Sequence, residues 1–247
     1  MNETDTFNED QLASMPTKNG FRQRGMDMTR LETFTDAAFA FTVTLLVVGG
    51  GDSVPMNFGE MSTALGQIPA FIASFANIMW FWYAHHIWSR RYGLDDGKSV
   101  VISLFLVLIV LIYVYPLKAI YSGAIDFFSG GYFASYFGIS SVDDLRSMFV
   151  IFGTAYAALS AIIALLYRHA LKLREQLSLN DLEVFDSRSD MLTWIYNVAV
   201  ASVSIALALL LPDGLTSVAG MWYVTLGIVM PWHMNRRARL RKALGTD

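Results

Sequence analysis

Six runs of about twenty mostly apolar residues, each bounded by charge, are the dominant feature of the chain: Arg30 to Val48, Ile68 to Ile87, Ser99 to Leu117, Met148 to Tyr167, Met191 to Leu211 and Leu215 to Met234. An α-helix rises about 1.5 Å per residue, so a run of this length crosses the hydrocarbon of a bilayer. Backbone groups in lipid need internal hydrogen bonds, and barrel strands would be about half as long and alternate in polarity, so the runs read as helices. The expected fold class is an all-α membrane protein, a six-transmembrane-helix bundle. Turn-forming stretches separate the runs: GGGDSVP, RRYGLDDGK, FFSGGYF and LPDG. The Tyr- and Phe-rich stretch 118–147 is expected at the membrane interface.

Composition narrows the function classes. Hydrophobic residues make up 54% of the chain and charged residues 16%, with a mean hydropathy of +0.42; a soluble domain carries about 25% charged residues. A net charge of -3 excludes a strongly basic nucleic-acid binder. The absence of cysteine excludes a disulfide framework, a thiolate metal site and a cysteine nucleophile. There is no glycine-rich phosphate loop, no H-E-x-x-H, no G-x-S-x-G and no T-V-G-Y-G filter, so neither enzyme chemistry nor a cofactor is expected. The acidic, polar N-terminus lacks the pattern of a cleavable signal peptide, and the first span is expected to target the chain.

Orientation follows from Lys and Arg, which stay on the cytoplasmic side. Sixteen of the eighteen lie up to Arg30, at Arg90, Arg91 and Lys98, from Arg168 to Arg188, and from Arg236 to Lys242; only Lys118 and Arg146 lie elsewhere. An even number of spans with both termini cytoplasmic satisfies this distribution. The domain plan is a polar cytoplasmic N-terminal segment (1–28), a six-helix transmembrane domain (29–235) and a basic cytoplasmic tail (236–247).

Ionisable groups within spans carry function or sit inside the bundle. Arg30, Glu32 and Asp36 open the first span; Glu32, being shallow, is expected to face water, and Asp36, followed by small residues, to be buried and paired. Candidate partners lie at the same depth in span two, in the stretch Asn77 to His86 with Trp80, Trp82, Tyr83 and His85. A structural polar network and a proton-responsive pair of Asp36 with His85 both fit. Adjacent histidines point about 100° apart and do not readily chelate one metal. Beyond Asp36, residues Ala37, Phe41, Thr44, Leu45 and Val48 form one stripe along the helix, whereas Thr42 lies off it. The stripe reads as packing or as a pore lining.

The sequence Arg30-x-x-x-Phe34-Thr35-Asp36 followed by a threonine-bearing apolar run resembles the R-x-x-x-F-S-D signature of the lysosomal potassium channel family, transmembrane protein 175. Thr35 keeps the hydroxyl of the motif serine. Trp82-x-x-His85 resembles the family's second landmark, and the leucine-rich third span ending at Pro116 is similar too. The resemblance implies a prokaryotic single-repeat member: a potassium-selective leak channel in the cell membrane, a homotetramer with its pore lined by the first span and potassium as the permeant ion. It places hydrophobic constrictions at Phe41, Leu45 and Val48, a selectivity threonine at Thr44, and a helix-fixing network at Arg30, Phe34, Thr35, Asp36, Trp82 and His85. Relatives usually carry an aliphatic residue where this chain has Phe41. No metal beyond the passing potassium, no cofactor and no nucleic acid is implied, and lipid is the remaining partner. Two alternatives from other classes are a proton-coupled secondary transporter using Asp36 and His85, and a non-conducting membrane scaffold.

Overall fold

The computed structural model describes residue 7 and residues 9–48, 55–133 and 135–244, apart from the side chains of residues 48 and 242–244. A short helix α1 (Glu9–Ser14) and a two-strand hairpin, β1 (Thr17–Lys18) and β2 (Phe21–Arg22), precede α2 (Arg30–Val48). Then come α3 (Phe58–Gly66), α4 (Ile68–Tyr92), α5 (Gly97–Phe128), α6 (Val142–Lys172) and α7 (Asp181–Leu210). Two 3-10 turns flank α8 (Ser217–Met221), and α9 (Leu226–Leu244) ends the described chain. Among the described residues four stretches are long and apolar enough to cross a membrane, and the pair α3 and α4, bent by 41°, makes a fifth if it is one broken span.

The elements begin and end where side chains satisfy orphan backbone groups. Thr29 accepts from the Glu32 amide at 3.0 Å to start α2. Capping boxes start α6 (Ser141 with Asp144) and α7 (Asn180 with Glu183). Gly93, in the left-handed conformation at φ 60°, stops α4.

Several helices outrun their apolar stretches. α5 continues through Pro116 to Phe128, so much of the segment expected at the interface is helical, with Lys118 buried and 5.1 Å from the Tyr136 ring centre. α7 starts ten residues before its apolar run because the charges of that turn have partners: Glu183, Asp186 and Asp190 all meet arginines. A span counted by uncharged length stops where charge begins, whereas the helix stops where its backbone loses a partner.

The core is aromatic. Phe81 of α4 lies 5.5 Å from the rings of both Tyr156 (α6) and Trp194 (α7), and 6.4 Å from that of Tyr113 (α5). α6 and α7 share the most extensive helix pairing, and α2 packs on α4 and α5.

One end of the bundle is stitched by charge. The Glu183 carboxylate, fully buried, accepts from Arg22 at 2.9 and 3.2 Å and from Arg24 at 2.9 and 3.1 Å. Asp190 pairs with Arg91 and Arg237, and Asp186 with Arg237 at 3.0 Å and Arg241 at 3.2 Å. The lead-in to α2 is therefore no free tail. Its Phe21 is buried edge-on to Tyr92, and its Arg24 and Gly25 amides cap the last carbonyls of α4, from Arg91 and Arg90. The approach demands glycine at both contact points: a Cβ on Gly25 would stand 2.2 Å from the Ser89 carbonyl oxygen, and one on Gly93 would stand 3.0 Å from the Arg24 backbone. The basic tail likewise serves as a partner for α7 through Arg237 and Arg241.

Candidate functional site on the first membrane helix

α2 presents two faces. Glu32, Thr35, Phe39, Thr42 and Leu46 are buried against the protomer, at intervals of three and four residues. The opposite face exposes Phe34 (52%), Phe41 (56%) and Val47 (60%), with Ala37, Ala40 and Thr44 between them. Both threonines return their hydroxyls to the helix, Thr42 to the Ala38 carbonyl at 2.8 Å and Thr44 to the Ala40 carbonyl at 3.2 Å. They differ in surroundings, since Thr42 is sealed in the core and Thr44 faces outward.

Of the expected constriction residues, Phe41 lies on the exposed face and Leu45 is half-buried against the core. The Val48 side chain lies outside the described residues. Val47, which the stripe did not include, is open instead; its spacing of three from Thr44 was the available signal.

The motif residues divide between the faces. Asp36 accepts a hydrogen bond from the Trp82 indole at 2.8 Å, fastening α2 to α4. Thr35 is fully buried, while Arg30 and Phe34 are exposed. His85 is buried and turned to Ser103 of α5 at 3.0 Å. Asp36 and His85 thus have separate partners and form no pair. Glu32, expected in water, is buried at 3% exposure with His86 Nδ1 at 3.5 Å. Its position on the inner face of α2, over the end of α4, overrides its shallow depth. The Trp82 ring stacks on His86 at 5.4 Å between centres, joining the two contacts. The missed Glu32 and His86 contact was legible only as a pair of acids four residues apart wanting a donor.

No group of three or more His, Asp or Glu suited to a metal ion occurs among the described residues. His85 meets the Ser103 hydroxyl inside the bundle, away from the open face, which offers apolar rings and the hydroxyls of Thr33 and Thr44 on a helix anchored from behind by Trp82.

Fold and site together define a multi-pass helical membrane protein whose first long helix keeps one face exposed among the described residues. The family model for the endosomal/lysosomal potassium channel TMEM175 matches residues 30–116. A relative from Marivirga tractuosa described as a potassium channel is 32% identical over 200 residues, covering 78% of this chain and 80% of its own length. The crystal structure of the potassium channel MtTMEM175, a threonine-to-alanine variant bound to a nanobody–MBP fusion, superposes with a TM-score of 0.79 at 28% identity, over 90% of this chain and 99% of that one. A lysosomal potassium-selective channel homolog from Chamaesiphon minutus shares the fold, with a TM-score of 0.54 at 18% identity over 84% of this chain and 96% of its own. The chain belongs to the TMEM175 family, a family of ion channels rather than enzymes.

Proposed function

We propose that the protein is a potassium-selective leak channel: a tetramer of six-helix protomers in the cell membrane, both termini cytoplasmic, its pore lined by the open face of α2. The observation that carries this reading is the unpartnered stripe. Phe34, Ala37, Phe41 and Thr44 alternate at steps of three and four, the seam that lets identical helices meet around an axis. In the tetramer α2 counts as the sixth span, its 19 residues being long enough to cross. The stitching of the lead-in to α2, the end of α4, the start of α7 and the end of α9 supports placing those basic clusters on one face, which the excess of Lys and Arg makes cytoplasmic.

In the channel, four Phe41 rings form a collar that gates by excluding water, and Thr44 hydroxyls supply oxygens to a partly dehydrated ion. Potassium holds its hydration less tightly than sodium and loses less at such a collar, so selectivity is modest. The test is potassium flux into proteoliposomes of the purified full chain, with and without Phe41→Ala. Opening the collar is expected to raise flux about tenfold, equivalent to about 1.4 kcal/mol off the barrier. Absence of flux in both proteins would sink the channel reading.

A further inference from the structure

The stitched end of the bundle commits Arg22, Arg24, Arg91, Arg237 and Arg241 to Glu183, Asp186 and Asp190; three further cations of that end share one crevice. Lys98 at the start of α5, and Arg168 and Lys172 at the end of α6, line a crevice of about 370 Å³. All three side chains are exposed, and none has an ion-pair partner among the described residues. Asp96, at the start of α5 beside Lys98, is already occupied. Its two oxygens take the Ser99 hydroxyl at 2.6 Å, the Lys98 amide at 3.2 Å and the His169 ring at 3.0 and 3.1 Å. Burial by itself would raise the Asp96 carboxyl, yet the Ser99 hydrogen bond, followed by His169, holds it below the usual carboxylate range. Asp95 beside it is exposed to solvent.

The walls say which anion suits the crevice. Within the lining, Val101 of α5 (52% exposed) and Leu165 of α6 (45% exposed) lie one turn further into the span than the cations. Leu104, Phe105 and Leu108 continue that open apolar surface along α5. A cationic mouth above an apolar, membrane-depth wall matches a phosphate joined to acyl chains. A free phosphate would use the mouth and leave the wall bare.

We propose that the crevice between the start of α5 and the end of α6 is a binding site for the phosphate headgroup of an anionic glycerophospholipid, held by Lys98, Arg168 and Lys172 with its chains along Val101 and Leu165. The site stands apart from the open face of α2, and its occupancy does not depend on whether the protein conducts.

Native mass spectrometry of the purified full chain with phosphatidylglycerol or phosphatidylcholine of matched chains tests it. The wild type is expected to retain phosphatidylglycerol preferentially. Each cation near a headgroup changes affinity on the order of fivefold, so Lys98→Gln, Arg168→Gln and Lys172→Gln together should weaken phosphatidylglycerol binding on the order of a hundredfold. Lys98→Arg with Lys172→Arg should keep the preference, as should Arg188→Gln with Arg239→Gln, which removes exposed cations elsewhere. The proposal is overturned if the triple variant keeps the preference, if either comparison variant loses it, or if millimolar inorganic phosphate displaces the lipid.

Discussion

The stitched end of the bundle and the open face of α2 solve opposite problems. At the stitched end, residues from four parts of the chain bring charges that satisfy one another, and a buried carboxylate such as Glu183 is usable because two guanidinium groups surround it. On the open face Phe34, Phe41 and Val47 stay 52%, 56% and 60% exposed among the described residues. That bare apolar face, on a helix fastened from behind through Asp36 and Trp82, is the surface we propose lines the pore. The contrast teaches that charge holds the helix from one end while its outward side is left to apolar exposure.

That contrast can be broken from its strong side first. Glu183→Ala strands two buried arginines and is expected to cost about 3–5 kcal/mol, read as a large drop in the thermal unfolding temperature of the purified protein in detergent. An unfolding temperature within a degree of wild type would mean the stitching is ornamental. Gly25→Ala pushes a methyl into the Ser89 carbonyl and should cost about 1–3 kcal/mol, by forcing the lead-in away from α4. Should the same assay show no loss, the close approach of the two glycines does not hold the helix. Trp82→Phe removes the indole donor to Asp36 and trims the ring stacked on His86, and is expected to destabilise by about 1–2 kcal/mol; flux through the variant should change less than through Phe41→Ala.

The two threonines sharpen the comparison with the smallest perturbation. Thr44→Ala should alter the potassium-to-sodium permeability ratio with stability nearly unchanged, because Thr44 faces outward. Thr42→Ala should do the reverse, losing about 1 kcal/mol of stability through a buried void while leaving the ratio alone. Bi-ionic measurements on both variants check this, and equal ratios in wild type and Thr44→Ala would remove Thr44 from selectivity.

Much of the architecture was legible because lipid imposes it: apolar length marked the long helices, and the three- and four-residue spacing of α2 separated Thr42 from Thr44. The Asp36 contact was legible in part: span two at matching depth was the expected source of its partner, but the pairing weighed from the residues was with His85, which turns to Ser103 while Trp82 meets Asp36. What escaped the reading depended on tertiary pairing. Glu32 looked shallow and solvated because depth was visible and helix rotation was not. The early start of α7 was hidden because Asp186 and Glu183 look like water-loving residues until Arg24 and Arg237, some fifty to a hundred and sixty positions away, are brought to them. The lead-in at Phe21 to Gly25 read as polar tail, since a buried aromatic and a required glycine are ordinary letters until their neighbours are known.

The bond between Arg22 and Glu183 spans 161 residues of sequence, and this sets an order on how the protein is made. Synthesis delivers α2 to the membrane first, long before α7 and the tail that grip its lead-in exist. The helix proposed to form the pore wall is thus the earliest of the long helices to be made; α4 and α5 fasten its body next, and its lead-in gains its buried carboxylate only with α7. Chains interrupted before α7 would hold that helix through α4 and α5 alone, with Arg22 and Arg24 of its lead-in still waiting for the Glu183 carboxylate.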